Sequence, residues 1–509
     1  MSSLESLKNN QKQALSVGII LVIAAFLRIY QLGQECMWVD EVSSMDQALR
    51  PLPELFSGFV RAPLYYFLLR CWIKLFGFSE FSLRFPSAVF GIAGVYLTYR
   101  LGKAIFNRFV GLTGALLLAI SSFHVFFSQE VRHYSLWVFL TLLSNFFFLK
   151  ILKKADSVKP YVFYCAATVL SLYTIQLSVL MWLVHNLVFF YRQEHNRKKW
   201  IIAQTAIFAI FLLWCVPFAF FIIRIKDAIP TWESGWIPPL SIRSLMSFFK
   251  TIVCSGIYFG AGNLENLRIS FFQAAQMWLF FTLFILGLGS GNFKKSESLL
   301  LSLWVWLPLG GFLLFSLMVI PFFSERYFVF VLPGFLILIG AGIDRFKRKL
   351  IRFSLVGAIV LLNLPALFYY YGHDQKAHYD DAVELIKQNT KSKAGVNIVI
   401  DSCPPALVFA YYWEKNANAP ERFSLDIRRE LSYKMYEGGI VYKGRGYNLI
   451  IVKDEKQIIE LADRGLLSSL PEVWLVSQVD NGVKYRLSSF FGHSAAYAAE
   501  GVELYCYNR

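Results

Sequence analysis

The chain predicts an α-helical polytopic membrane protein carrying a small α/β domain at its C-terminal end. Three observations predict this. Of the 509 residues, 56% are hydrophobic, 17% aromatic and only 17% charged, against about 25% charged in a soluble domain. The apolar residues fall in about eleven long runs, near the roughly 20 residues that carry a helix across a bilayer. Basic clusters recur between those runs. Together these exclude a disordered or fibrous chain and an ordinary cytosolic enzyme.

The first run, Ala14 to Leu27, follows Lys8 and Lys12 and is closed by Arg28. No small-residue cleavage site follows it, so a retained helix with a cytoplasmic N-terminus is expected. Arg28, at its end, reads as a snorkelling residue. Basic loops then appear at Arg100, Lys103 and Arg108, at Lys150, Lys153, Lys154 and Lys159, at Arg192, Arg197, Lys198 and Lys199, at Lys294 and Lys295, and at Arg345, Lys347, Arg348, Lys349 and Arg352. The positive-inside rule assigns all of them to the cytoplasm. The spans between them are 14–30, 81–100, 109–127, 135–152, 160–177, 178–193, 200–223, 271–290, 298–320, 327–343 and 353–371. This places 31–80, 128–134, 224–270, 321–326 and 372–509 outside. Pro63 to Phe78 is apolar but short, with Arg70 and Lys74 inside it. It is expected to lie on the outer membrane surface as an amphipathic helix, and 43–56 is a candidate second one.

Two domains follow: a transmembrane domain over 1–371 and an external α/β domain over 372–509. In the second, helices are expected at 381–387 and 455–466. Strands are expected at Val396 to Ile400, Leu449 to Val452 and Val473 to Val476, short runs rich in β-branched residues. From His373 to Arg509 the 17 Lys and Arg are matched by 18 Asp and Glu, whereas the rest of the chain carries 33 and 16. The basic excess thus belongs to the membrane part. It suits orientation and contact with anionic membrane lipids, not nucleic acid. The seven cysteines show no C-x-x-C spacing, so no metal cluster is expected. Cys403 and Cys506 are a candidate pair within the tail.

Charged groups at membrane depth are costly and often functional. Five polar segments fall on the predicted outer side: Trp38-Val39-Asp40-Glu41; Arg61 to Tyr66; Arg84 in Leu83-Arg84-Phe85-Pro86; Ser128 to Tyr134; and Ser324-Glu325-Arg326-Tyr327. Carboxylates such as Asp40, Glu41 and Glu130 can take a proton from a hydroxyl or amine nucleophile. Arginines such as Arg61, Arg84 and Arg326 can hold a phosphate through paired N–H donors. Acids combined with arginines point to a lipid-phosphate substrate whose phosphate is the leaving group.

The segment from Arg28 through Lys154 resembles the glycosyltransferase 39-type family of the C-fold superfamily, which includes protein O-mannosyltransferases and lipid A aminoarabinose transferases. The likeness lies in Trp38-Val39-Asp40-Glu41, in Arg61-Ala62-Pro63-Leu64-Tyr65-Tyr66 (where His or Lys is more usual than Arg), in Leu83 to Ser87, in Ser128-Gln129-Glu130-Val131-Arg132-His133-Tyr134, and in Glu325-Arg326-Tyr327 followed by Leu332-Pro333. It covers about 15–345. The resemblance implies the glycosyltransferase C-fold, a polyprenyl-phosphate (undecaprenyl-phosphate-like) sugar donor and inversion at the anomeric carbon. The implied acceptor is an envelope glycolipid, polysaccharide or protein at the outer face of the cytoplasmic membrane. No nucleotide sugar and no required cofactor are implied, a divalent metal being the alternative. Carried over, Asp40 is the expected general base, with Glu41 and Glu130 as further acids. Arg61, Arg84, Arg132, Arg326 and Tyr65 are the expected substrate-binding residues. His133 is an alternative second base, and Trp232 and Trp236 are candidate sugar-stacking rings.

Each of these residues has a plainer reading. Asp40 and Glu41 suit a loop, Glu130 and Arg132 an ion pair, Arg61 and Arg84 snorkelling, and Tyr65 packing. The rival functions are a lipid or glycan flippase or transporter, a ligase using a lipid-diphosphate donor, and a non-catalytic envelope scaffold. A transporter is disfavoured because acids are lacking within the spans and no internal repeat is seen.

Overall fold

The computed structural model describes residues 2–508 except 57–61, 154–156, 193–195, 226–238, 254–270, 291–294, 320, 322, 391–394, 401–402, 416–439, 445–446, 453–454, 466, 468–469, 478–482 and 500–501. Arg61, Trp232 and Trp236 therefore lie outside the described residues. The chain divides into two compact units. One comprises 1–32, 52–72 and 84–373; the other comprises 33–51, 73–83 and 374–509.

The helices in chain order are α1 (Ser2–Ile29), α2 (Val39–Leu49), α3 (Leu52–Leu55), α4 (Pro63–Phe76), α5 (Glu80–Ile105), α6 (Arg108–Ile120), α7 (Ser122–Ser128) and α8 (Tyr134–Leu152). There follow α9 (Lys159–Thr174), α10 (Ser178–Arg192), α11 (Arg197–Ile225), α12 (Ile242–Val253), α13 (Phe271–Leu288), α14 (Lys295–Met318), α15 (Leu332–Asp344) and α16 (Lys349–Gly372). Among the described residues, six helices are long and apolar enough to cross a bilayer, in α1, α5, α8, α11, α14 and α16. The pair α6 and α7, bent by 64°, makes a seventh if taken as one span. This is a multi-pass membrane protein, but helix length does not by itself yield the eleven spans expected. The runs at 160–177 and 178–193 form helices of 16 and 15 residues. The run at 327–343 becomes a 3₁₀ turn, Glu325–Phe328, and the 13-residue α15.

The bend inside the expected span 109–127 has a local cause. The Ser121 hydroxyl accepts the His124 backbone N–H at 3.4 Å. A serine side chain satisfying a free N–H is an N-cap, so a new helix starts there. The apolar core of the first unit joins Val95, Val110, Leu118, Trp137, Trp200, Trp304 and Ile337. Around it, Leu15, Val22 and Phe26 on α1, Leu213 and Phe220 on α11, and Leu361 and Phe368 on α16 are exposed, as lipid-facing side chains are.

Close backbone packing joins α13 to α15. A Cβ on Gly287 would stand 2.8 Å from the Leu338 carbonyl carbon, and one on Gly342 2.8 Å from that of Leu283. Only hydrogen fits at both positions, the small-residue packing common between membrane helices.

The 14-residue α4 rises about 21 Å, short of the roughly 30 Å hydrocarbon core. It buries Tyr65, Tyr66, Leu69 and Ile73 and exposes Leu75 and Phe76, a two-faced character that suits a surface helix. The helix expected at 43–56 instead begins at Val39 and stops at Leu49, before Pro51. Proline disfavours the helical conformation in the residue before it.

The second unit contains α17 (Tyr379–Asn389), β1 (Val396–Ile400), α18 (Cys403–Lys415), β2 (Ile440–Gly444), β3 (Tyr447–Ile451), α19 (Glu455–Asp463), β4 (Glu472–Ser477), α20 (Val483–Phe490), β5 (Gly492–Ala499) and β6 (Val502–Asn508). The sheet order is β2-β3-β1-β4-β6-β5. The central β1 runs parallel to β3, with Ile398 beside Leu449, and to β4, with Ile398 beside Trp474. The outer pairs are antiparallel. Every residue of β1 and β4 is buried, which suits their largely apolar sequences, and the buried Asn397 in β1 donates through Nδ2 to the Glu472 carbonyl of β4 at 3.2 Å. The Cys506 thiol donates to Glu472 Oε1 at 3.5 Å, and the Cys403 side chain is outside the described residues.

Candidate active site

In the first unit the segment Ser128–Tyr134 links α7 to α8 and is held on several sides. The Ser128 hydroxyl donates to the His124 carbonyl at 2.6 Å. Gln129 Nε2 donates to the Tyr30 carbonyl at 2.8 Å, and its Oε1 accepts from the Tyr370 hydroxyl at 2.7 Å. The backbone of α5 comes close at Gly91, where a Cβ would stand 2.8 Å from Ser128 Cβ. Glu130 is buried, Val131 fully so, and Arg132 half-buried.

Arg132 lies within this segment, and two more of the expected residues, Tyr65 and Arg326, stand around it. The Ser87 hydroxyl of α5 donates to the Arg132 carbonyl at 3.2 Å, and the Tyr65 hydroxyl of α4 lies 3.4 Å from that of Ser87. The Tyr65 ring meets the His133 ring edge-on at 6.3 Å between centroids. The Arg132 guanidinium lies 5.7 Å from the centre of the Tyr134 ring. His133 is held well below the usual histidine range, first by burial and then by the positive charges of Arg132 and Arg326. Two guanidiniums from distant parts of the chain thus converge on one neutral imidazole, whose Nδ1 has no hydrogen-bond partner among the described residues. Beside Arg326, the Glu325 carboxylate accepts from the Ser247 hydroxyl of α12 at 3.2 Å. Burial pushes the Glu325 carboxyl upward, against its backbone hydrogen bond, Ser247 and Arg326.

Arginines at two other positions hold the fold. Arg84 is buried and donates to the Leu32 carbonyl at 3.1 Å. Arg28, expected to snorkel, is instead fully buried. It donates to the carbonyls of Ala24, Ala119 and Leu118, each at 3.1 Å, and bonds His124 Nδ1 at 2.7 Å. Snorkelling fails because the carbonyls at the α6–α7 bend are left without helical donors and the guanidinium supplies them.

The second unit holds Asp40 and Glu41, in the first turn of α2. A helix N-terminus carries partial positive charge and favours carboxylates there. Glu41 is wholly buried and is committed locally. Its Oε2 accepts from the Trp38 backbone N–H at 3.3 Å and from Lys376 Nζ at 2.9 Å. Lys376 also lies 3.9 Å from Glu35, whose Oε1 accepts the Gln375 N–H at 2.9 Å. Asp40 is half-buried, with its backbone carbonyl accepting from Ser44 at 2.9 Å. Of the two acids, Asp40 keeps access to solvent, as a base receiving a substrate proton requires. Sequence reasoning missed Glu35, Lys376 and Tyr412. The Tyr412 hydroxyl accepts the Met37 N–H at 2.7 Å. No local signal marks a lysine or tyrosine more than 300 residues from its partner.

Comparison with known proteins bears on both units. Residues 60–221 match the sequence profile of the family described as dolichyl-phosphate-mannose-protein mannosyltransferase. The YycA protein of Bacillus subtilis (strain 168), provisionally named a mannosyltransferase, is 27% identical over 150 residues, a match spanning 28% of this chain and 22% of that protein. Among solved structures, ArnT from Cupriavidus metallidurans in its apo state superposes with a TM-score of 0.62 at 12% identity, covering 98% of both chains. The same protein bound to undecaprenyl phosphate gives 0.60 at 13% identity, covering 97% of both. The oligosaccharyltransferase of Archaeoglobus fulgidus, tethered to an acceptor peptide, gives 0.53 at 11% identity, over 91% of this chain and 68% of that one. The chain therefore has the glycosyltransferase C-fold, as its motifs implied.

Proposed function

We propose that the protein is an inverting glycosyltransferase that takes a sugar from a polyprenyl-phosphate donor and places it on an envelope acceptor. The observation that carries this reading is the convergence of Arg132 and Arg326 beside His133 and Tyr65. Guanidiniums can hold a phosphate through paired N–H donors. The fold and the bound undecaprenyl phosphate of its ArnT relative support a lipid-phosphate donor.

In this reading the Asp40 carboxylate takes the proton from an acceptor hydroxyl or amine. The acceptor attacks the anomeric carbon from the face opposite the phosphate, and the carbon–oxygen bond to phosphate breaks. The electron pair leaves with the phosphate, whose charge the arginines stabilise. The sugar is inverted and polyprenyl phosphate is released. Glu41 keeps the first turn of α2 in shape through Trp38 and Lys376, and Glu130 is a further buried acid of the arginine-bearing segment. Arg61 is a further phosphate contact by resemblance, while the buried bond of Arg84 makes it an anchor first. This reading requires no nucleotide sugar and no metal. We further propose that the N-terminus and basic loops face the cytoplasm, and that residues 372–509 lie outside the cytoplasmic membrane.

The test is transfer of labelled sugar from a panel of undecaprenyl-phosphate sugars to envelope acceptors by reconstituted full-length protein. Asp40→Asn is expected to lose about 10²–10⁴-fold in rate, the usual contribution of a general base. Undiminished transfer by Asp40→Asn would remove Asp40 from the mechanism. Transfer from lipid-diphosphate donors alone would replace the donor class.

A further inference from the structure

Outside the groups used above, the second unit gathers a thiol, an imidazole and a carboxylate. Cys36 Sγ lies 2.6 Å from Asp380 Oδ1. One ligand atom each from Cys36, His378 and Asp380 lies within 4.8 Å of the others. A tetrahedral ion with arms of about 2.0–2.3 Å has ligand-to-ligand edges of about 3.3–3.8 Å, so small side-chain rotations bring these atoms to ligating distances.

The surroundings fit a metal ligand set. Whichever nitrogen of His378 takes the ion, the other already faces a carboxylate. Nε2 lies 3.5 Å from Asp374 and Nδ1 3.4 Å from Asp381. Metal-bound histidines almost always have such a partner, which fixes ring and tautomer. Cys36 is buried while His378 and Asp380 are partly open, giving an ion a path in. Sulfur, nitrogen and oxygen donors together favour a zinc-like ion over calcium or magnesium, which take oxygen.

We propose that Cys36, His378 and Asp380 bind one zinc-like divalent cation that clamps the segment leading into α2 to the start of α17. Without metal the thiol keeps its proton, because burial and then Asp380 push it up to about 12. Binding releases that proton to solvent and leaves the thiolate on the ion. The site's place is informative: Cys36 is two residues before Trp38, the residue from which α2 starts, and α2 carries Asp40 in its first turn. The ion would therefore order the approach to α2.

The experiment uses full-length protein in detergent, stripped by chelator and titrated with Co²⁺ and then Zn²⁺. One Co²⁺ per chain is expected, with a thiolate-to-cobalt charge-transfer band and the intense visible bands of a tetrahedral site, both abolished by Zn²⁺. Cys36→Ser should remove the charge-transfer band and weaken Zn²⁺ binding by about 100-fold or more. Asp380→Asn should weaken it by about 10–100-fold, in the range second-shell losses already reach. Cys506→Ser should change neither. Absence of the band in the wild type, or its survival in Cys36→Ser, overturns the proposal. Should Cys36→Ser fail to elute as folded protein, His378→Gln decides: an undiminished Co²⁺ spectrum there overturns it equally. None of these readouts depends on glycosyl transfer, so the metal site and the proposed reaction stand or fall separately.

Discussion

At the scale of residues, the two arginine-rich environments do different work. Arg28 is spent on backbone carbonyls, as is the described bond of Arg84, whereas Arg132 and Arg326 stand where they suppress the charge of His133. That suppression predicts a pH signature. The unfolded chain binds a proton at the ordinary histidine pKa of about 6.5, while folded His133 refuses it until the pH is far lower. Stability from this residue is therefore present above about pH 6.5 and is lost as the pH falls below it. Thermal unfolding in detergent between about pH 7.5 and 5 should fall less steeply for His133→Gln than for the wild type. Identical slopes would mean that His133 titrates normally in the folded protein. The acids and arginines stood out in the sequence because they interrupt or flank long apolar runs. Their division of labour did not, because the carbonyls of Leu32, Leu118 and Ala119 that claim Arg84 and Arg28 leave no trace in side-chain chemistry.

At the scale of elements, apolar runs located the helices well and their interruptions poorly. The run at 109–127 is continuous in hydropathy, yet Ser121 divides it because a hydroxyl can cap a helix while costing the run little apolarity. Proline marks a start as well: α18 opens at Cys403-Pro404-Pro405, since the first turn needs no N–H donors. In the tail β1, β3 and β4 were readable from β-branched residues. The Ala- and Gly-containing β5 was not, because its pairing with β6 defines it more than its own propensity does. The α13–α15 contact gives the sharpest test at this scale. Gly342→Leu has no space beside the Leu283 carbonyl, and overpacking typically costs about 1–3 kcal/mol. The variant should unfold at lower temperature than the wild type, while Gly357→Leu, where a Cβ meets nothing within 4 Å, should not. Equal melting of the two variants would show that the helices separate without penalty.

At the scale of the molecule, the linear division at residue 371 is too simple. The second compact unit also takes in 33–51 and 73–83. Lys376 with Glu41 and Tyr412 with Met37 show how: each pair is separated by more than 300 residues, beyond anything periodicity or local composition can report. Orientation, by contrast, is a whole-chain property that we propose is set by the basic loops. In a background lacking native cysteines, Lys347→Cys should react with a membrane-impermeant maleimide only after permeabilisation. Asp463→Cys, exposed on the tail, should react in intact spheroplasts. The reverse pattern would invert the topology. The buried Arg28 also has a consequence for how the chain is made. Its carbonyl partners at Leu118 and Ala119 lie 90 and 91 residues further along. When α1 leaves the ribosome it carries into the bilayer a guanidinium that has nothing yet to bond across the helix interface. Those bonds form only once the α6–α7 bend has followed α1 into the bilayer, so the seating of α1 is tied to a helix end made some 90 residues behind it.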